Sequence, residues 1–457
     1  MSSLKPTSPQ VLNNVEMGDP VSEKRVLAFG NSTVDILVGN AKSEDAEVKV
    51  IPIVLTSHVD DYPDGGLAAW SVVVGATCAI FATFGVVNTW GTFQTYYGRV
   101  LLSDTKTSTI AWIGSVQYAL IFLPGLLAGR LCDLGYYKRT LFISSVILVV
   151  ATAAIAECKE FWQLLLCQGF LTGISCGMIF GPIPIIISHW FKKRRSLAFG
   201  ISATGSAIGG TVIPIASSHL VNIVGFKWTI RVIALITFCM LAIANLTLRR
   251  RLDPPKNPGP FFAWHDFRKP AFNVFVLAGA ITFLGLYTLL TYIELSAIAL
   301  GITPGFSFYL VSIANASSGF GRITSGFLGD KLGAINVSAP MTLVCAIMTY
   351  FWPLATTRGS LIAVAVIYGF CSGAYVTLLP VPLVAMGDMH DAGRRTGIAG
   401  SAIALGAVAG PPISGFIIQS PDGFKTVSYY AGSCIFVAVI LLYVTKYLML
   451  GTLRGKF

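Results

Sequence analysis

One guanidinium lies where the chain is otherwise apolar: Arg322, at the end of Asn315-Ala316-Ser317-Ser318-Gly319-Phe320-Gly321-Arg322. An arginine inside a membrane span costs about 2.5–3.5 kcal/mol on insertion scales, so it faces a water-filled cavity or an ionic partner. The competing reading is that its long stem snorkels to the nearer interface and serves the turn at Asp330. Asn88, Gln117, Tyr118, Tyr287, Tyr292, Asn315 and Tyr375 put further polar groups at span depth. Each alone fits an interhelical hydrogen bond as well as a ligand contact. Together with Arg322 they outline a cavity for a flat or aromatic anion. Glu294 is an acid in an apolar run, at or near the outer end of its span. Covalent chemistry is not indicated. The chain shows no phosphate-binding loop, no nucleophile–base arrangement and no metal-ligand spacing, and its nine cysteines contain no Cys-x-x-Cys pair. The expectation is a protein that is not an enzyme and carries no cofactor or metal.

A second kind of chemistry sits in turns. Gly129-Arg130-Leu131-Cys132-Asp133 and Gly326-Phe327-Leu328-Gly329-Asp330 both give glycine, three residues, then aspartate, with a basic residue close by. The glycine lets a neighbouring helix approach, and the carboxylate can hold a cationic partner across the turn. Asp64, ahead of the first apolar run, and Arg194-Arg195, ahead of the fifth, are expected on one membrane side. They either pair across an inner gate or serve only as topology signals.

These residues need long helices to place them. Mean hydropathy is +0.72 and only 12% of residues are charged, about half of what a soluble domain carries. Apolar runs of span length recur end to end and predict twelve helices: 67–96, 108–130, 140–157, 161–187, 196–218, 228–248, 271–298, 305–328, 336–354, 360–385, 396–418 and 426–448. The run from Gly169 to Gly210 is echoed 200 positions later, where Gly369, Gly373, Pro382, Arg394-Arg395, Gly400 and Gly410 fall on Gly169, Gly173, Pro182, Arg194-Arg195, Gly200 and Gly210. A repeat at half-chain spacing predicts two related bundles with something bound between them. The expected fold class is therefore an all-α membrane protein, twelve transmembrane helices in two pseudo-symmetric six-helix bundles. Its parts are a disordered tail at 1–60, bundles at 61–248 and 271–449 joined by a linker at 249–270, and a short tail at 450–457. Span 4 carries glycines at 169, 173, 177 and 181, one helix face for tight packing.

The net charge of +11 does not point to nucleic acid, because the basic residues sit in short turns between spans. Lys192 to Arg195, Arg249 to Arg251, Lys331 and Arg394-Arg395 share one side, which is expected to be cytosolic with both termini. No cleavable signal peptide is recognisable, and the expected location is the plasma membrane, with lipid as the surrounding partner.

The paired turns, the twelve spans and the basic central linker resemble the major facilitator superfamily. Two further motifs, Pro63-Asp64-Gly65-Gly66-Leu67-Ala68-Ala69-Trp70 and the stretch from Trp190-Phe191-Lys192-Lys193-Arg194-Arg195 to Thr204-Gly205, resemble those of its monocarboxylate-porter family, closest to the fungal, riboflavin-transporter-like branch. The first motif departs from animal members, which put an aromatic after the glycines and reach Trp one residue sooner. The resemblance implies that Arg322 meets a substrate carboxylate. It also implies that Asn88 and Ser318 stand where proton-coupled members carry a lysine and an aspartate, so the usual proton coupling is missing. On this reading the chain moves a small monocarboxylate-like anion or a vitamin-like solute by alternating access. Its substrate contacts are Asn88, Tyr118, Tyr292, Asn315, Ser318, Arg322 and Tyr375. Its gating set is Asp64, Asp133, Arg194, Arg195, Gly205 and Asp330. The alternatives are an exporter of drugs or secondary metabolites and a non-transporting nutrient sensor on the same fold.

Overall fold

The computed structural model describes residues 23–29, 32–38, 62–254 and 265–456, and the chain divides into two units at Asp61/Tyr62. In the first unit, β1 (Glu23–Phe29) and β2 (Ser32–Val38) pair antiparallel, with Glu23 opposite Val38 and Phe29 opposite Ser32. The rest of the tail expected at 1–60 lies outside the described residues. Val26, Val34, Ile36 and Val38 are β-branched, which suits a paired strand.

The second unit is helical. Among the described residues, ten stretches are long and apolar enough to cross a membrane. One of them, Arg195–Thr247, breaks at Gly225, whose φ of 79° no ordinary side chain adopts comfortably. Pro304–Leu332 adds a further long helix, less apolar than the others because polar residues such as Asn315 and Arg322 interrupt it. Twelve spans result. In chain order they are α1 (Gly66–Leu101), α2 (Thr109–Asp133), α3 (Tyr137–Glu157), α4 (Phe161–Ser188), α5 and α6 (Arg195–Thr247 before and after Gly225), α7 (Pro270–Ala299), α8 (Pro304–Leu332), α9 (Ala334–Leu354), α10 (Arg358–Ala385), α11 (Ala392–Ile418) and α12 (Gly423–Leu450). The turn expected between α5 and α6 is only that glycine break. The helix runs through 219–224 because those residues are apolar enough to continue it, and Lys227 and Arg231 are held in place by Glu157 at 2.8 and 2.9 Å. Most of the predicted linker, residues 255–264, lies outside the described residues.

Spans α1–α6 and α7–α12 each close around their own apolar core, one built on Val72, Leu148, Ile186 and Leu241, the other on Phe283, Leu289, Ile335 and Ile435. Within a half, glycines set the closest approaches. A Cβ on Gly177 would sit 2.6 Å from the Leu120 carbonyl oxygen, so the span-4 glycines lock α4 onto α2, both in the first half. Gly373 against Ser318 does the same for α10 and α8. Gly205 meets Thr77 and Phe81 of α1. It belongs to a seam inside the first half, which corrects its placement at a gate.

Candidate functional site

Between the halves lies a cavity of about 1620 Å³. Its walls come from the far ends of α1 and α5 (Trp90, Arg99, Asn222), the start of α2 (Trp112), and the far ends of α7 and α11 (Tyr292, Glu294, Gln419). It therefore opens on the face opposite the basic turns. Its depth is marked by Phe199 and Ala203 on α5, Arg322 on α8 and Pro380 on α10. Aromatic rings from both halves line it, among them Phe84, Tyr118, Phe180, Tyr287 and Phe308.

Arg322 is the cation of the floor. Its Nη1 donates to the Ala203 carbonyl across the two halves at 3.0 Å, while its Nε is buried without a hydrogen-bond partner. The charge is not snorkelled away, because Asp330 is already engaged elsewhere. Arg99 and Glu294 are the other charged side chains of the lining, both near the mouth. The floor is thus positive, with donor capacity to spare. Above it, Asn315 Nδ2 donates to the Gly210 carbonyl of α5 at 3.2 Å. That oxygen is free because Pro214, four residues on, has no N–H to give it. Tyr118 donates to Asn88 Oδ1 at 3.3 Å beside the same spot.

Of the predicted substrate contacts, Asn88, Tyr118, Tyr292, Asn315, Ser318 and Arg322 all line this cavity. Tyr375 does not: it is buried in the core of the second half, its ring 6.4 Å from that of Phe283. Gln117 likewise is buried behind the wall, under Gly173. The carbonyls of Ala203 and Gly210 are functional groups that side-chain reasoning passed over; Pro214 was the signal for the second.

The basic side is closed by two matching crossings. Asp133 at the end of α2 accepts from the N–H groups of Gly393 (3.0 Å) and Arg394 (2.8 Å), at the N-terminus of α11. Asp330 near the end of α8 accepts from Ser196 (2.8 Å) and Leu197 (3.0 Å), at the N-terminus of α5. Each carboxylate therefore caps a helix of the opposite half, where unpaired amides and the helix dipole favour negative charge. Backbone N–H groups supply these contacts, and the charges of Arg394 near Asp133 and Lys456 near Asp330 add to them. Glycines bring the helices together beneath each cap. A Cβ on Gly129 would overlap the Gly393 carbonyl oxygen, one on Gly397 would lie 2.5 Å from that of Gly125, and one on Gly326 would lie 2.6 Å from that of Ser196.

Asp64 behaves differently from its expected role. Its Oδ1 accepts from the N–H groups of Lys192, Lys193 and Arg194 at 2.7, 2.7 and 3.2 Å. Arg195 turns its Nε to the Phe191 carbonyl at 3.2 Å. All of these belong to the first half, so the contact cannot part when the halves separate. It anchors the start of α1 to the α4–α5 turn. Asp64→Ala should lower the stability of that half by about 1–2 kcal/mol, as loss of a helix cap does. Reversing charges at Asp64 and Arg195 together should not rescue it; a thermal midpoint restored by the double change would overturn this reading.

A family model described as Major Facilitator Superfamily matches residues 70–389. Among curated relatives, an MFS transporter of Aspergillus flavus is 35% identical over 87% of this chain and 89% of its own length. An aspyridones efflux protein of Emericella nidulans is 33% identical over 85% and 79%, and a fujikurins efflux protein of Gibberella fujikuroi is 35% identical over 84% of each. Two solved structures share the fold: the human organic anion transporter MFSD10 (14% identity, TM-score 0.64, covering 82% of this chain and 98% of that one) and FucP in the outward conformation (16%, 0.63, 82% and 99%).

Proposed function

Because this chain belongs to the Major Facilitator Superfamily and is a membrane transporter of that type, we propose that it exports an aromatic organic anion of secondary-metabolite size. The observation that carries the reading is the size and chemistry of the central cavity. At about 1620 Å³ it exceeds the roughly 300–1,000 Å³ that suffices for a drug-sized ligand. A three-carbon acid would leave most of it filled with water. Rings on both walls suit a flat apolar body, and Arg322 at the floor suits one acidic group. The relatives named as efflux proteins support the same direction and displace the small-monocarboxylate reading.

In this arrangement the basic face is cytosolic by the positive-inside rule, and the cavity is open to the outside. The two aspartate-capped crossings form the closed inner gate. Opening it requires Asp133 and Asp330 to leave their helix N-termini, and Arg322 and Asn315 to leave the carbonyls of Ala203 and Gly210. An anion that takes the Arg322 guanidinium removes one of those ties. Asn88 and Ser318 supply neither amine nor acid, so export runs down the gradient of a metabolite made inside the cell.

Proteoliposomes loaded with a multi-ring aromatic acid or with lactate test this. Release of the aromatic acid should far exceed that of lactate and should change little with an imposed pH gradient. Equal rates would defeat the substrate class, and about tenfold stimulation by an opposing proton gradient would defeat the uncoupled mode.

A further inference from the structure

We propose that Cys158 and Cys167 form a disulfide on the face opposite the basic turns. Cys158 follows the 3-10 turn Ile155–Glu157 that ends α3, and Cys167 lies in the π-turn Leu165–Leu171 near the start of α4. The two thiols lie within hydrogen-bonding reach of each other, and both residues line a shallow surface cavity of about 260 Å³ with Glu157, Trp162 and Gln163. Both are thiols in this structure. Cys158 is buried, at 9% exposure, and Cys167 is half-buried, so an oxidant arriving from the aqueous phase on that side meets Cys167 first, with Cys158 behind it.

A second pair sets the contrast. Cys345 on α9 and Cys371 on α10 are also within side-chain reach of each other. They are buried inside the helical core of the second half and line neither cavity. Proximity is common to both pairs; what separates them is that the first opens, through half-buried Cys167, onto a surface cavity, and thiol oxidation follows access.

The oxidant is a low-molecular-weight disulfide, such as oxidised glutathione, met on the luminal or extracellular side. One protein thiolate attacks it, forms a mixed disulfide and expels the first small thiolate. The second protein thiolate then attacks the protein sulfur of that bond and expels the other. The protein loses two protons and two electrons, and the small disulfide becomes two thiols. The new bond ties α3 to α4 next to Glu157, which already holds Lys227 and Arg231 of α6. The outer rim of the first half is thereby fastened, as a half that moves as one body requires.

The side on which the pair lies rests on the orientation proposed above. Full-length protein in its native membranes is acid-quenched, denatured in detergent and blocked with a light maleimide, then reduced and labelled with a heavy one before peptide mass spectrometry. Cys158 and Cys167 should carry the heavy label, while Cys345 and Cys371 carry the light one. In Cys158→Ser, Cys167 should change to the light label. Light label on both Cys158 and Cys167 in the unaltered protein overturns the disulfide, and heavy label on all four overturns access as what selects the pair. On intact cells, a membrane-impermeant maleimide applied after reduction should label the pair. Labelling only after permeabilisation would overturn the orientation and leave the disulfide standing.

Discussion

Arg322→Ala should lower transport of an anionic substrate by roughly 10- to 150-fold. That is the factor equivalent to losing about 1.5–3 kcal/mol of charge-assisted hydrogen bonding. The guanidinium is the cation of the cavity floor, and its Nε has no hydrogen-bond partner in this state. Removing it takes away both the attraction for the acid and the geometry of a planar fork. Arg322→Lys keeps the charge but offers a point donor, so it should recover part of the loss and not all of it. The control is the methyl ester of the same acid. If the ester is slowed by Arg322→Ala as much as the acid is, the residue serves the tie to the Ala203 carbonyl and not the anion. A neutral substrate indifferent to the change, beside an acid that depends on it, assigns the contact.

The twelve helices were legible because a lipid-spanning helix must be apolar over about twenty residues, and that demand leaves a mark in almost any sequence. The span α8 was read as an apolar run like the others, although its Ser312, Asn315, Ser318 and Arg322 line the cavity. The aspartates of the two turns were visible as a repeat, but the backbone share of their contacts was not. Charge suggests a cation as the partner of a carboxylate, whereas Gly393, Arg394, Ser196 and Leu197 offer backbone N–H groups that no residue type advertises. Asp64 was misread in the same way, with arginines nearby drawing attention from the amides that bind it. Tyr375 and Gly205 were placed by residue type and motif position, while a helix rotation decides whether a side chain meets the cavity or the core. Cavity volume has no sequence signature, because it depends on how far two rigid halves stand apart.

The inner gate gives the other large expected effect. Gly129→Val places two methyl groups where even a single Cβ would overlap the Gly393 carbonyl oxygen. Forcing such a contact costs about 1–3 kcal/mol, and the closed inner gate bears that cost alone, because the two backbones separate when it opens. The population of the outward-open state should then fall by roughly 5- to 150-fold relative to its inward-open counterpart. Hydrogen exchange reads this directly. The amides of Gly393 and Arg394 are bonded to Asp133, and those of Ser196 and Leu197 to Asp330, only while the gate is shut. If the halves rock as rigid bodies, the valine at one crossing must speed exchange at both helix N-termini, although Asp330 lies on a different helix from the substitution. Faster exchange at Gly393 and Arg394 with no change at Ser196 and Leu197 would mean that the crossings open separately. The matching valine at Gly326, beneath Asp330, should produce the same paired response from the other side, since its Cβ would lie 2.6 Å from the Ser196 carbonyl oxygen. Two substitutions on different helices with one shared exchange signature would establish the gate as a single cooperative unit.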